Sequence, residues 1–138
     1  MKLTAQWIVG FVDGEGCFYI RLSKKKDILQ EYHVLPEFSV VQHKRDIKLL
    51  YALKEFFGCG IIRNTKGKDS NIMMYRVRAQ KDLLEKIIPF FQKHELKSVK
   101  NINFKKFRKV LLIMEKSEHL TIEGIQKIHE IKNIMNNK

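Results

Sequence analysis

Residues 4–13 constrain the fold more than any other stretch of the chain. Thr4 can cap a helix there, and Trp7, Ile8, Val9, Phe11 and Val12 make that helix apolar almost all round. Such a helix has to be covered on more than one side. Gly10 sits in its middle, where glycine costs about 1 kcal/mol relative to alanine. Gly14 follows four residues later, on the same face. Small residues at that spacing let a second backbone approach closely. The helix is too short to span a bilayer, and the sequence holds no second one like it. Two arrangements remain: internal packing against a different helix, or a symmetric dimer in which the helix lies against its own copy.

Gly14-Glu15-Gly16 is expected to break this helix, leaving the Glu15 carboxylate just past its C-terminus. That is the negative end of the helix dipole, an unfavourable place for an acid. A cation removes the conflict, and a carboxylate with backbone carbonyls is a hard donor set suited to Mg2+. A twofold axis along paired helices would bring two copies of Glu15 together, able to hold metals over a phosphodiester. The plain alternative is a surface glutamate beside a turn.

The rest of the chain alternates hairpins with helices. Residues 17–24 read as a strand with Phe18, Ile20 and Leu22 inward, and residues 33–43 as a second with Phe38 and Val40 inward. Pro36 predicts an edge or irregular start for that second strand. Helical spacing of Leu49, Leu50, Leu53, Phe56 and Phe57 marks residues 46–57, closed by Gly58-Cys59-Gly60. Strands at 61–66 and 73–79 follow, joined by Gly67-Lys68-Asp69-Ser70-Asn71, with Met73, Tyr75, Val77 and Ala79 inward. Helical patterns cover 82–92, which Pro89 is expected to kink or end. Two more cover 101–116 and 121–136, the last capped by Thr121 and striped by Ile125, Ile128, Ile131 and Ile134. The order predicts an α+β fold: an antiparallel sheet with helices on one face, in a single domain spanning residues 1–138.

An antiparallel sheet covered on one face is polar on the other. Here that other face carries Tyr19, Arg21, Ser23, His33, Glu37, Ser39, Arg63, Thr65, Met74, Arg76 and Arg78, with Lys25 in the loop beyond. Arginine can bond guanine bidentately, and hydroxyls and imidazoles adapt to several base edges. The alternative is an ordinary solvated face. Charge favours the first reading: 27 Lys+Arg against 15 Asp+Glu give +12 in 138 residues, which draws polyanions. Nucleic acid is the first such partner and an anionic membrane surface the second. The second is weakened because no basic amphipathic helix shows an aromatic insertion face.

No run of about 18 apolar residues suggests a spanning helix. Asp13 and Glu15 stand where an export signal needs small residues. Cys17 and Cys59 lack metal-ligand spacing, and two free thiols fit a reducing compartment. The five histidines form no HxxxH or HExxH pair.

The stretch Trp7-Ile8-Val9-Gly10-Phe11-Val12-Asp13-Gly14-Glu15-Gly16-Cys17-Phe18 resembles the signature of the LAGLIDADG homing endonucleases. Phe38-Ser39-Val40-Val41-Gln42, Phe57-Gly58-Cys59-Gly60, Tyr75-Arg76-Val77, Lys81-Asp82-Leu83 and Leu96-Lys97-Ser98-Val99-Lys100 resemble later parts of it in order, as does the tail from His119 to Asn136. The resemblance implies an αββαββα core, plus C-terminal helices, whose saddle-shaped sheet lies in the DNA major groove. It implies site-specific cutting of both strands by metal-dependent phosphodiester hydrolysis. Trp7, Gly10, Phe11, Asp13 and Gly14 would line the subunit interface, with Asp13 capping or bracing the helix pair. Glu15 and the Gly14 carbonyl would bind Mg2+; Mn2+ would substitute, and Ca2+ would support binding without cleavage. Gln42 would organise solvent near the scissile phosphate, and Lys97 or Lys100 would offset its charge. One motif in this chain implies a homodimer on a long, near-palindromic double-stranded DNA target. A non-cleaving relative, such as a splicing maturase on intron RNA or a regulator, is the alternative. The Lys-, Ile- and Asn-rich composition suggests synthesis inside a chloroplast or mitochondrion, or in a bacterial cytoplasm.

Overall fold

The structure, a computed structural model, describes residues 1–24, 32–67 and 70–135. Lys25, expected near DNA, lies outside the described residues, as do Lys68 and Asp69 of the second hairpin turn.

Helix α1 (Ala5–Glu15) starts as the sequence predicts, with Thr4 Oγ accepting from the Trp7 amide at 3.1 Å. It does not break at Gly14. It runs through Glu15 and closes only where the Gly16 amide donates to the Val12 carbonyl. Glu15 is therefore the last helical residue rather than the first one past the end. Strand β1 (Gly16–Lys24) begins at the next residue and pairs antiparallel with β2 (Tyr32–His43). The joint is tight: a Cβ at Gly16 would meet Val12 Cγ1 at 2.6 Å and the Val12 carbonyl at 2.9 Å.

Helix α2 (Ile47–Phe57) follows and ends on Gly58, whose φ of 69° is the left-handed cap that glycine adopts without strain. Strands β3 (Ile61–Asn64) and β4 (Ile72–Val77) form the second hairpin, shorter at both C-terminal ends than the alternation predicts. The four strands stand in the order β1-β2-β4-β3, each neighbouring pair antiparallel. Strand β2 is thus central, not an edge. Pro36 is tolerated because β4 pairs only with Phe38–His43, leaving the first half of β2 bonded to β1 alone.

Pro89 does not end its helix. The chain passes from α3 (Gln80–Asp82) through a π turn (Leu83–Ile87) into α4 (Ile88–Lys93). In that wide turn the Ile88 amide reaches the Leu83 carbonyl, which relieves the clash a proline makes with the carbonyl four residues back. Helices α5 (Lys100–Glu115) and α6 (Ile122–Ile134) complete the chain, α6 capped by Thr121 as expected. Its stripe ends differently: Ile134 is exposed and Met135 is buried in its place.

The inward residues of all four strands meet the helices in one apolar cluster. Phe18 is its hub, with ring centroids 5.1 Å from Phe38, 5.6 Å from Phe91, and 5.3 Å from both Phe104 and Phe107. This packing commits the even-numbered positions of β1 and β2 to the interior. The odd-numbered ones are left on the opposite, open face.

Candidate nucleic-acid interface and carboxylate site

The register lines up the open face in rows. Ser23 pairs with His33, Arg21 with Leu35, and Tyr19 with Glu37. Cys17 pairs with Ser39, which pairs with Arg76, which pairs with Ile61; Val41, Met74 and Arg63 make the next row. Arg78 stands one residue past β4, next to Glu37 across the sheet. Its Nε donates to Glu37 Oε1 at 2.7 Å. All the expected face residues that the structure describes therefore share one side, with refinements at four positions. Ser39 is buried at 6% exposure. The Thr65 hydroxyl is spent on the Ile72 carbonyl inside the hairpin. Leu35 and Val41, which the sequence reading passed over as apolar, belong to the face by register.

Arg63, Arg76 and Arg78 crowd one another. The Arg76 guanidinium is shifted down from its usual value by burial first, then by the charges of Arg78 and Arg63. Three guanidiniums so placed gain from an incoming polyanion.

Strand β1 begins opposite Val40, one row from Cys17, Ser39 and Arg76. The α1–β1 joint with Gly14 and Glu15 thus lies at the same sheet end as Gln42. The Gln42 side chain is half-buried on the inward side, opposite Met73. Glu15 is exposed. The Gly14 carbonyl falls beyond the last pairing to Val12, so it belongs to the outward-looking carbonyls at a helix end.

Within the chain, Asp13 holds the segment that leads into α5. Its Oδ2 accepts from the Lys97 amide at 2.9 Å, and its Oδ1 accepts from the Ser98 amide at 3.0 Å and the Ser98 hydroxyl at 2.7 Å. Ser98 Oγ in turn accepts from the Lys100 amide at 3.2 Å, opening α5. This clamp ties the lysine-bearing segment to the carboxylate joint. Burial raises the Asp13 carboxyl, but the bonds from Lys97 and Ser98 and the Lys100 charge outweigh it and leave the group below its usual range. The charge of Lys100 also reaches Cys17, two residues beyond Glu15, where burial nonetheless pushes the thiol up. The Lys100 charge thus acts on groups at both sides of this joint.

Asp13→Ala is expected to cost about 1–2 kcal/mol, the worth of hydrogen bonds to a charged acceptor at a partly exposed site. Because the folded carboxyl titrates below its unfolded value, this contribution is present above the unfolded pKa and is lost as pH falls through the folded one. Denaturant unfolding of both proteins at neutral pH and near pH 3 checks it: the gap is expected to narrow in acid.

On α1 the face away from the core is open. Trp7 is 39% exposed and its ring lies 4.8 Å from Phe11. A Cβ placed on Gly10 or Gly14 would meet nothing within 4 Å. Among the described residues, no other helix packs against Gly10 and Gly14, so internal packing, one of the two sequence-based alternatives, does not fill this face there. Among the described residues no helix is long and apolar enough to cross a membrane.

A basic, open antiparallel sheet face thus stands beside an exposed acid at a helix–strand joint, an arrangement that suits a polyanionic ligand. The chain belongs to the LAGLIDADG endonuclease family, whose profile matches residues 8–111. It is similar to the crystallised homing endonuclease I-TnaI, at 51% identity over 99% of this chain and 90% of that one, with a TM-score of 0.90. The meganuclease I-SmaMI, crystallised on DNA, is 34% identical over 97% of this chain and 45% of its own, with a TM-score of 0.91. A probable intron-encoded endonuclease of Neurospora crassa is 35% identical over 92% of this chain. The chain spans only 26% of that relative's length.

Proposed function

We propose that this chain is a homing endonuclease: a homodimer that binds a long, near-palindromic DNA duplex and cuts both strands with the help of divalent metal. The observation that carries the reading is the placement of Glu15, exposed at the joint between an unpartnered glycine-bearing helix and an arginine-rich sheet face. DNA-bound crystals of I-SmaMI, one with cleaved DNA and one with calcium, support it.

Pairing α1 with its copy covers Trp7, Gly10, Phe11 and Gly14 and brings two Glu15 carboxylates towards one axis. Among the described residues, no cluster of three His, Cys, Asp or Glu side chains forms a metal site within one chain. Glu15 and the Gly14 carbonyl fit a hard cation nonetheless, since both are oxygens at the negative end of a helix. They would hold Mg2+, with Mn2+ a substitute and Ca2+ a cation that supports binding alone. Bound there, the metal would supply positive charge over the scissile phosphate. Lys100, kept in place by the Asp13–Ser98 clamp, offsets charge on the same phosphate. Gln42 orders solvent from the inward side of the joint. The open face supplies the readers, with Arg21, Arg63 and Arg76 aimed outward among the hydroxyl and imidazole groups. Intron-encoded relatives support synthesis in a chloroplast or mitochondrion over a bacterial origin. Binding to intron RNA is the second reading, and the same selection separates the two.

The test is selection from a random duplex library in Ca2+. A twofold-symmetric consensus is the expected result, and capture of no duplex sequence contradicts the proposal. Affinity for the consensus is expected to fall about 10³-fold or more between 50 and 200 mM salt, the loss that six or more phosphate contacts produce. A titration of binding against salt measures it.

A further inference from the structure

Glu37 is out of keeping with the face it occupies. A carboxylate among arginines that meet a phosphate polyanion weakens binding unless it accepts a hydrogen bond there. Yet Glu37 is built in. It lies between Tyr19 on β1 and Arg78 beyond β4, its side chain only 16% exposed, while that of Arg78 is 49% exposed. Tyr19, Arg21, Leu35, Pro36, Glu37 and Arg78 enclose a hollow of about 140 Å³ on the open face.

The geometry of the pair matters. Arg78 bonds Glu37 through Nε alone, so the edge formed by its two Nη groups is left for another acceptor. Glu37 likewise spends Oε1 and keeps Oε2. A fixed pair of donors beside a fixed acceptor matches the major-groove edge of a C·G base pair. Guanine presents the acceptors N7 and O6, and the N4 amino donor of its cytosine lies beside O6.

We propose that Glu37 and Arg78 act as one unit reading a single C·G base pair in each half-site, Arg78 on guanine and Glu37 Oε2 on cytosine N4. This rests on the reading of the open face as a major-groove surface. The carboxylate contributes rejection as well as attraction. Thymine in the cytosine position presents its O4 acceptor to Oε2, and two acceptors repel. Glu37 also holds Arg78 in one pose against the push of the neighbouring arginines, so that its free edge is already oriented.

The experiment repeats the duplex selection with the wild type, Glu37→Gln and Arg78→Ala. The wild type is expected to require C·G at one position in each half-site. In Glu37→Gln the side-chain amide can donate to O4 as well as accept from N4, so discrimination against thymine at that position is expected to fall about tenfold. Arg78→Ala is expected to relax guanine at the same base pair. Should Glu37→Gln fail to fold by circular dichroism, Glu37→Asp keeps the charge, withdraws it by one methylene, and is expected to weaken that same preference. Wild-type preference retained by both variants, or changes at two different base pairs, overturns the pairing while leaving the nuclease reading intact. Failure of the wild type to select any consensus overturns both.

Discussion

Glu15→Gln is expected to reduce double-strand cleavage by about 10²–10³-fold or more, the scale on which removing one electrostatic stabiliser acts, while capture of the same duplex in Ca2+ survives. The substitution removes one negative charge and nothing else. Glu15 is exposed at the helix end, so no packing is lost and the fold is not at risk. Its loss takes away the one carboxylate at the α1–β1 joint that is not already committed, because Asp13 is fully engaged with Lys97 and Ser98. Asp13 therefore does not substitute for it. Cleavage of the selected duplex by wild type and variant, read beside their binding curves, is the measurement. Unchanged cleavage would remove Glu15 from the metal site.

Gly10→Leu is expected to turn the dimer into monomers. Overpacking a filled seam costs about 1–3 kcal/mol at each intrusion, and a twofold axis makes two of them, so the dimer weakens about 30-fold or more. The isolated chain should gain from the same change. A Cβ at Gly10 meets nothing within 4 Å in the single chain, and leucine favours a helix over glycine by about 1 kcal/mol. The expected outcome is a monomer by sedimentation that melts no lower than a wild-type monomer and cuts poorly. A variant that stays dimeric and active would move the interface off this helix.

Strand parity was the most legible part of the structure in the sequence. Phe18, Ile20, Phe38, Val40, Tyr75 and Val77 alternate with polar residues, and a one-residue slip would have exposed all of them. Periodicity also located the helices, together with Thr4 and Thr121 as caps. Local signals failed where tertiary context decides. Glycine at 14 and 16 reads as a break, but the Gly16 amide can still close on Val12, so Glu15 ends up within the helix. Proline at 89 reads as a kink or a stop, but a π turn absorbs it and the helix continues. Pro36 suits an edge, and half of a central strand is one locally.

In the candidate site, the resemblance of residues 7–18 to a family signature located Glu15. Nothing in the sequence joined Asp13 to Ser98, which lie 85 positions apart. Spacing to Phe104 leans towards Lys100 over Lys97, and the Lys100 charge acting on Asp13 and Cys17 supports the same choice. The Glu37–Arg78 pair was equally hidden: both residues were legible as face residues, but their partnership is a matter of register.

The most direct measurement maps strand breaks on the selected consensus duplex after Ca2+ is replaced by Mg2+. The account predicts one break in each strand, at positions related by the twofold axis of the consensus, and none in the presence of a chelator. A duplex that stays whole in Mg2+, or one nicked in a single strand only, would contradict a homodimer that supplies one Glu15 to each strand.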